Sequence, residues 1–353
     1  MTGKRLLYLL LSIAISVVLM AFLVRGLDWE LMGDSIRAIR LPYVALFLLT
    51  YALSVLVRAF RYLLFIGPGR IRFVPVLLVT IVRNMLVDFL PARLGSLSYV
   101  ILLKKKYNLA YEIGTSSLGL AIFFDAAAIF PLIFLATLFI KPVQHMLAVN
   151  RVHYLGLVLL INLLFFACMI FLDKLVILGR VILNRIFTLL RLDNWKLSHR
   201  LHAFLDKLFN EIKDSKARGI YLPLFLLSIL LRVLKYGGLY FLLLSVLHAS
   251  APRGEQFGFF SVFLGIAITE MSGFLPIKGF MGIGTWHAAF TYVFAYLHIL
   301  PAGTGKIAGI MLHGITQIVE YTAGIITLIA VMVRKKKDRP QADESAPPDT
   351  SHI

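Results

Sequence analysis

One cysteine, three tryptophans and eighteen acidic side chains in 353 residues exclude several protein classes at once. A lone Cys168 forms no intrachain disulfide and has no nearby partners for a thiolate metal site. It lies inside an apolar run, where it reads as a lipid-facing or core hydrophobe. The chain holds no D-x-D pair and no His/Asp/Glu cluster at metal-ligand spacing, so neither a metal nor any other cofactor is expected. Charged residues make up only 15% of the sequence and hydrophobic ones 59%, a balance too apolar for a water-soluble domain. The apolar runs do not alternate with polar residues, which excludes the strands of a membrane barrel.

What is present is a series of apolar stretches near or above the ~20 residues that cross a bilayer as a helix. A backbone in lipid must satisfy its own hydrogen bonds, so helices are the spanning element. The sequence predicts an all-α, polytopic helical membrane protein with six full spans, at about 6–25, 43–66, 114–139, 153–172, 219–247 and 305–333. The first follows Lys4 and Arg5 and is too long for a signal-peptide core, with no A-x-A cleavage pattern behind it. Two further segments are broken by proline, one at Pro91 in "FLPARLG" and one at Pro276 in "FLPIKGFMGIG". Their second arms, about 95–103 and 285–298, are too short to span, so each segment is expected to be a re-entrant hairpin. Residues 173–218 form a basic insert whose Leu197, Leu201, Phe204, Leu205, Leu208, Phe209 and Ile212 share one helical face. Residues 335–353 read as a charged, disordered tail on a transmembrane domain covering 1–334.

The formal net charge is +18. The basic residues sit mostly between apolar runs, so nucleic acid is excluded as a partner and an anionic bilayer surface is favoured. Lys4/Arg5, Arg70/Arg72, Lys104 to Lys106, the insert and the final "RKKK" belong on the cytoplasmic side, which puts both termini there.

Two stretches echo each other. "SVLVRAFRY" at 54–62 and "SILLRVLKY" at 228–236 share Ser-x3-Arg-x2-cation-Tyr. Phe-Leu-Pro-x-cation recurs at 89–93 and 274–278, and an apolar helix with one acid follows each, Asp125 in the first case and Glu320 in the second. The first cation-bearing helix runs inward and the second outward. The halves, about 41–172 and 219–333, are therefore expected to be inverted repeats, whose paired broken segments point to a transporter's central site. Broken helix ends favour anions, and Arg93 and Lys278 lie beside them as expected headgroup ligands. Arg58 and Arg61 share a helix face, as do Arg232 and Lys235. Because a charge at the bilayer centre costs ~3 kcal/mol or more, these four are expected to face a polar cavity, pair with acids or grip an anion. The plainer readings are snorkelling for Arg58 and Arg61, simple neutralisation for Asp125 and Glu320, local hydrogen bonding for His287 and helix close-packing for the glycines. "GFMGIG" lacks the strand context of a dinucleotide fingerprint.

The residues Asn84…Leu90-Pro91-Ala92-Arg93-Leu94-Gly95 and Leu275-Pro276…Met281-Gly282-Ile283-Gly284 resemble the lysylphosphatidylglycerol synthase transmembrane region, a flippase-like family, over about 5–333. The resemblance implies a multi-pass bacterial or archaeal cell-membrane protein that moves phospholipid or lipid-linked headgroups between leaflets. It adds Asn84, Gly95, Gly282 and Gly284 to the expected substrate site. Asp88, Asp125, Glu270, His287 and Glu320 are the expected charge-pairing or coupling groups. Two acids of the family pattern are replaced here, by Ser96 and His287, and an arginine by Tyr99. The synthases append a soluble aminoacyl-transfer domain; none is expected here, so lipid aminoacylation is not expected. The leading expectation is a non-enzymatic translocator of an anionic membrane lipid, with a homo-oligomer compatible with the plan. The alternatives are a transferase acting on a lipid phosphate, an anion or small-solute transporter, and a membrane scaffold.

Overall fold

The computed structural model describes residues 21, 25, 27–89, 95–139, 151–189, 196–247, 257–272 and 284–333. These hold twelve helices: α1 Trp29–Arg37, α2 Leu41–Ile66, α3 Phe73–Phe89, α4 Leu97–Tyr107, α5 Tyr111–Phe139, α6 Arg151–Ile170, α7 Leu172–Leu189, α8 Lys196–Ala217, α9 Tyr221–Val246, α10 Phe259–Met271, α11 Thr285–Tyr296 and α12 Ala302–Val333. Among the described residues there is no strand. Four helices, α2, α5, α9 and α12, are long and apolar enough to cross a membrane. The expected first span falls almost wholly outside the described residues, as do Pro91, Arg93, Pro276, Lys278, Gly282 and the tail.

Local chemistry sets the helix ends. Asp28 accepts a hydrogen bond from Leu31 N at 2.9 Å and so caps α1. Pro42 in the first turn of α2 uses a position where the missing N–H costs nothing. Asn108, at φ +56°, ends α4, and its N–H returns to Leu103 O and Lys104 O. The basic insert is two helices, α7 and α8, where the sequence pattern marked only the second. In α7 the apolar residues Leu175, Ile177, Leu178, Val181 and Ile182 are exposed.

The centre of the molecule is the antiparallel pair α2 and α9. Ser245 Oγ donates to Arg40 O at 3.1 Å near one end, and Arg218 donates to Leu64 O and Phe65 O at 3.0 and 2.9 Å at the other. Between them Gly238 lets α2 approach so closely that a Cβ there would lie 2.6 Å from Thr50 Oγ1. Helix α3 lies on α12, and α10 on α5. Phe89 meets Tyr321 edge to face at 6.3 Å in the first of these contacts.

Two apolar clusters fill the interior. One contains Phe47, Ala136, Tyr236, Leu242, Phe263, Phe290 and Leu312. The other contains Tyr62, Phe65, Val79, Tyr99, Phe124 and Leu224. Helices α2, α5 and α9 contribute to both. Outward-facing Leu49, Leu53, Leu56 and Phe60 on α2, and Ile318, Ile325, Ile326 and Ile329 on α12, form exposed apolar stripes of the kind lipid solvates.

The loops sort to two ends. Arg70 pairs with Glu211 at 2.6 Å, Lys207 with Glu112 at 3.2 Å, and Lys106 donates to Met332 O, so α8 and the ends of α2, α4, α5 and α12 share one basic end. Lys306 donates to Arg25 O at the opposite end.

Candidate functional site

The seam where the two apolar clusters meet is crossed by charge. Arg61 on α2 is 1% exposed. Its Nη1 donates to Asp125 Oδ1 at 2.5 Å and its Nη2 to Asp125 Oδ2 at 3.2 Å, a two-pronged pair with α5. The same Nη1 donates to Ser228 Oγ on α9 at 2.7 Å. Arg61 therefore turns inward, and the snorkelling geometry is not the one adopted.

Arg232 on α9 crosses the seam the other way. Its Nη2 donates to the backbone oxygen of Asp125 at 3.2 Å, and its Nη1 lies 3.8 Å from Glu270 Oε2 on α10. Lys235 pairs with Glu270 Oε1, and the Tyr236 hydroxyl donates to Glu270 Oε2 at 3.0 Å. Each half thus binds a cation of the other's central helix. Glu270, and not Glu320, is the acid of the second cation pair. The repeat pattern had matched Asp125 with Glu320, because it compared only the helix after each hairpin. Glu320 lies instead within electrostatic range of the Tyr51 hydroxyl.

Arg58 Nη1 donates to Asn84 Oδ1 on α3 at 2.9 Å, and Arg83 Nη1 donates to the same oxygen at 3.3 Å. Sequence reasoning passed over Arg83. It is the same kind of signal as Arg58, a cation inside an apolar run, but it has no counterpart in the second half, so the search by echo missed it. The echo did contain Ser228 and Tyr236, without assigning them a bond. Asp88 lies on α3, with its side chain outside the description.

His287 makes a local bond. Its Nδ1 accepts from Gly284 N at 3.2 Å, which closes the start of α11. Gly284 has φ +96°, a conformation that glycine adopts without a steric penalty. The ring is 3% exposed and meets His313 edge to face at 4.8 Å, and Trp286 stacks on His313. Gly95 lies so close to Leu86 O that no Cβ would fit without a shift of backbone. Tyr99 is fully buried, stacks on Tyr62 at 4.3 Å and has its hydroxyl 3.2 Å from Ser117 Oγ. The Tyr62 ring and the Ser117 hydroxyl fill the surroundings of that position.

The described part of the belt therefore holds Arg58, Arg61, Arg83, Arg232 and Lys235 against the carboxylates of Asp125 and Glu270. Membrane-length helices that hold a cluster of inward-facing cations set the frame for comparison with known proteins. The family model described as lysylphosphatidylglycerol synthase TM region matches residues 9–324. The chain belongs to this family. It is an integral, multi-pass membrane protein of a lipid-related kind. No curated protein and no solved structure matches the chain.

Proposed function

We propose that this member of the lysylphosphatidylglycerol synthase TM region family is a lipid translocator. An anionic headgroup enters the belt between α2, α3, α5, α9 and α10 while its acyl chains stay in the bilayer. One observation carries the reading: among the described residues five cations, Arg61 fully buried and the others partly, line this seam, and the carboxylates ion-paired with them are those of Asp125 and Glu270. An uncompensated charge in the hydrocarbon region is costly and marks a substrate or ion path. An arriving anion offsets the excess, and the acyl chains explain why the surrounding helices expose apolar stripes.

The two halves act as inverted repeats in this scheme. The contacts of α3 on α12 and of α10 on α5 support it, because each lies against the acid-bearing helix of the other half. At ~1.5 Å per residue, α3, α4, α10 and α11 are each shorter than the ~30 Å hydrocarbon core, which fits re-entrant hairpins. In this reading Arg93 and Lys278, with Pro91, Pro276, Gly95, Gly282 and Gly284, belong to the tips that receive the headgroup. Asp88, Asp125, Glu270, His287 and Glu320 hold or couple the cations. Opening to one leaflet and then the other requires the Arg61–Asp125 and Arg232–Glu270 links to be exchanged for contacts with substrate.

Purified protein in vesicles of phosphatidylcholine with a trace of fluorescent phosphatidylglycerol tests this directly. Dithionite quenching is expected to reach the inner-leaflet label with wild type and to slow about tenfold or more with Arg232→Gln, the loss of one charge-assisted contact. No movement of any labelled lipid under any imposed ion gradient would overturn the reading. A covalently altered lipid product would point to a transferase.

A further inference from the structure

The belt cations fall into two groups. Arg61 is bonded through both terminal nitrogens to Asp125, and Arg232 and Lys235 meet Glu270. Arg58 and Arg83 differ. Among the described residues neither bonds a carboxylate, and both place Nη1 on the one neutral oxygen of Asn84. Asn84 is 7% exposed, so two like charges converge where little water screens them. Asp125 acts electrostatically on Arg58, but both its oxygens are already occupied by Arg61. Glu320 reaches the Tyr51 hydroxyl electrostatically.

Unused donors collect at the same place. Arg58 Nε and Arg83 Nε, like Arg61 Nε and Arg232 Nε, are buried without a hydrogen-bond partner, and the Tyr51 hydroxyl lies against Asn84. Tyr51 and Arg58 are seven residues apart on α2, so they share a face, and Arg83 and Asn84 are adjacent on α3. A buried donor left unmade is costly, and two guanidinium forks match the oxygens of a phosphoryl group.

We propose that Tyr51, Arg58, Arg83 and Asn84 form the seat for the phosphoryl group, and that the seat selects a phosphomonoester dianion over a phosphodiester monoanion. This rests on the anionic-headgroup reading and names its substrate class. Two positive charges without a carboxylate are both offset by a dianion, whereas a monoanion leaves one buried and unmatched. The carboxylate-bonded Arg61, Arg232 and Lys235 hold the halves together, and the pair at Asn84 reads the headgroup.

The test is equilibrium binding to the full chain in detergent by native mass spectrometry, with dioleoyl phosphatidate, dioleoyl phosphatidylglycerol and dioleoyl phosphatidylcholine as probes. Phosphatidate is expected to bind about tenfold or more tighter than phosphatidylglycerol. Arg83→Gln is expected to bring the two within about twofold of each other, and Arg70→Gln, at the surface pair with Glu211, to leave the ratio unchanged. If Arg83→Gln does not fold, Arg83→Lys keeps the charge without the fork and is expected to keep part of the preference, while Tyr51→Phe reduces it. Equal binding of the two anionic lipids by wild type, or a preference that survives both Arg83→Gln and Arg58→Gln, overturns the seat. Displacement of phosphatidate by inorganic phosphate identifies a soluble phosphomonoester source, and failure to displace identifies the lipid; both keep the seat. Phosphatidylglycerol movement without a phosphatidate preference overturns the seat alone. A preference without any lipid movement overturns the translocator alone.

Discussion

Arg61 shows what a single side chain inside a bilayer protein must do. It is long, fully buried and bonded at both terminal nitrogens, so its partner is needed for the fold to hold. Asp125→Asn leaves the guanidinium buried beside a neutral group. The expected cost is about 3–5 kcal/mol, read as a lower Tm in detergent. Replacing the pair together, Arg61→Met with Asp125→Leu, is expected to recover most of that loss, since well-packed apolar residues often substitute for a buried ion pair. A double variant no better than Asp125→Asn would mean that Ser228 and Arg232 depend on the pair as well. Tyr99 gives the opposite case. Tyr99→Arg introduces a charge against Tyr62 and Ser117 and is expected to abolish recovery of folded, monodisperse protein, whereas Tyr99→Phe loses about 1 kcal/mol with the hydroxyl contact.

For the helices, close approach decides which of them can carry the belt. Arg61 reaches Ser228 only because α2 and α9 are near each other, and Gly238 against Thr50 permits that. Gly238→Val is expected to cost about 1–3 kcal/mol by overpacking and to slow lipid movement. Gly314, with nothing within 4 Å of an added Cβ, is the comparison: Gly314→Ala is expected to be neutral or to stabilise α12 by up to about 1 kcal/mol. Differential scanning fluorimetry of the two proteins separates the cases. The helices α2, α5, α9 and α12 were legible in the sequence because an unbroken apolar run of this length has few other solutions. Helix α7 was not separated from α8, since the charges of both read as one basic insert.

Over the whole molecule, the contacts sort the loops to two ends, and the positive-inside rule leads us to propose that the basic end faces the cytoplasm. On a Cys168→Ser background, Gly69→Cys and Lys213→Cys are expected to react with an impermeant maleimide from the cytoplasmic side only. Arg37→Cys and Ala302→Cys are expected to react from the other side only. Labelling of positions 69 and 302 from one face would overturn the parallel arrangement of α2 and α12.

The sequence alone determined the solvent in which this protein folds, its helical class, its family likeness and four of the belt cations. Those follow from run length, composition and residues that are expensive in lipid, all local properties. Only the tertiary structure decided who pairs with whom. Asp125 and Glu270 became counterions, Ser228 and Tyr236 became ligands of charged groups, and Arg83 joined Arg58 at Asn84. Such partners lie 34 to 167 residues apart for the bonds of Tyr236 and Arg61, and no periodicity in a single helix encodes a distance across the packed interface of several.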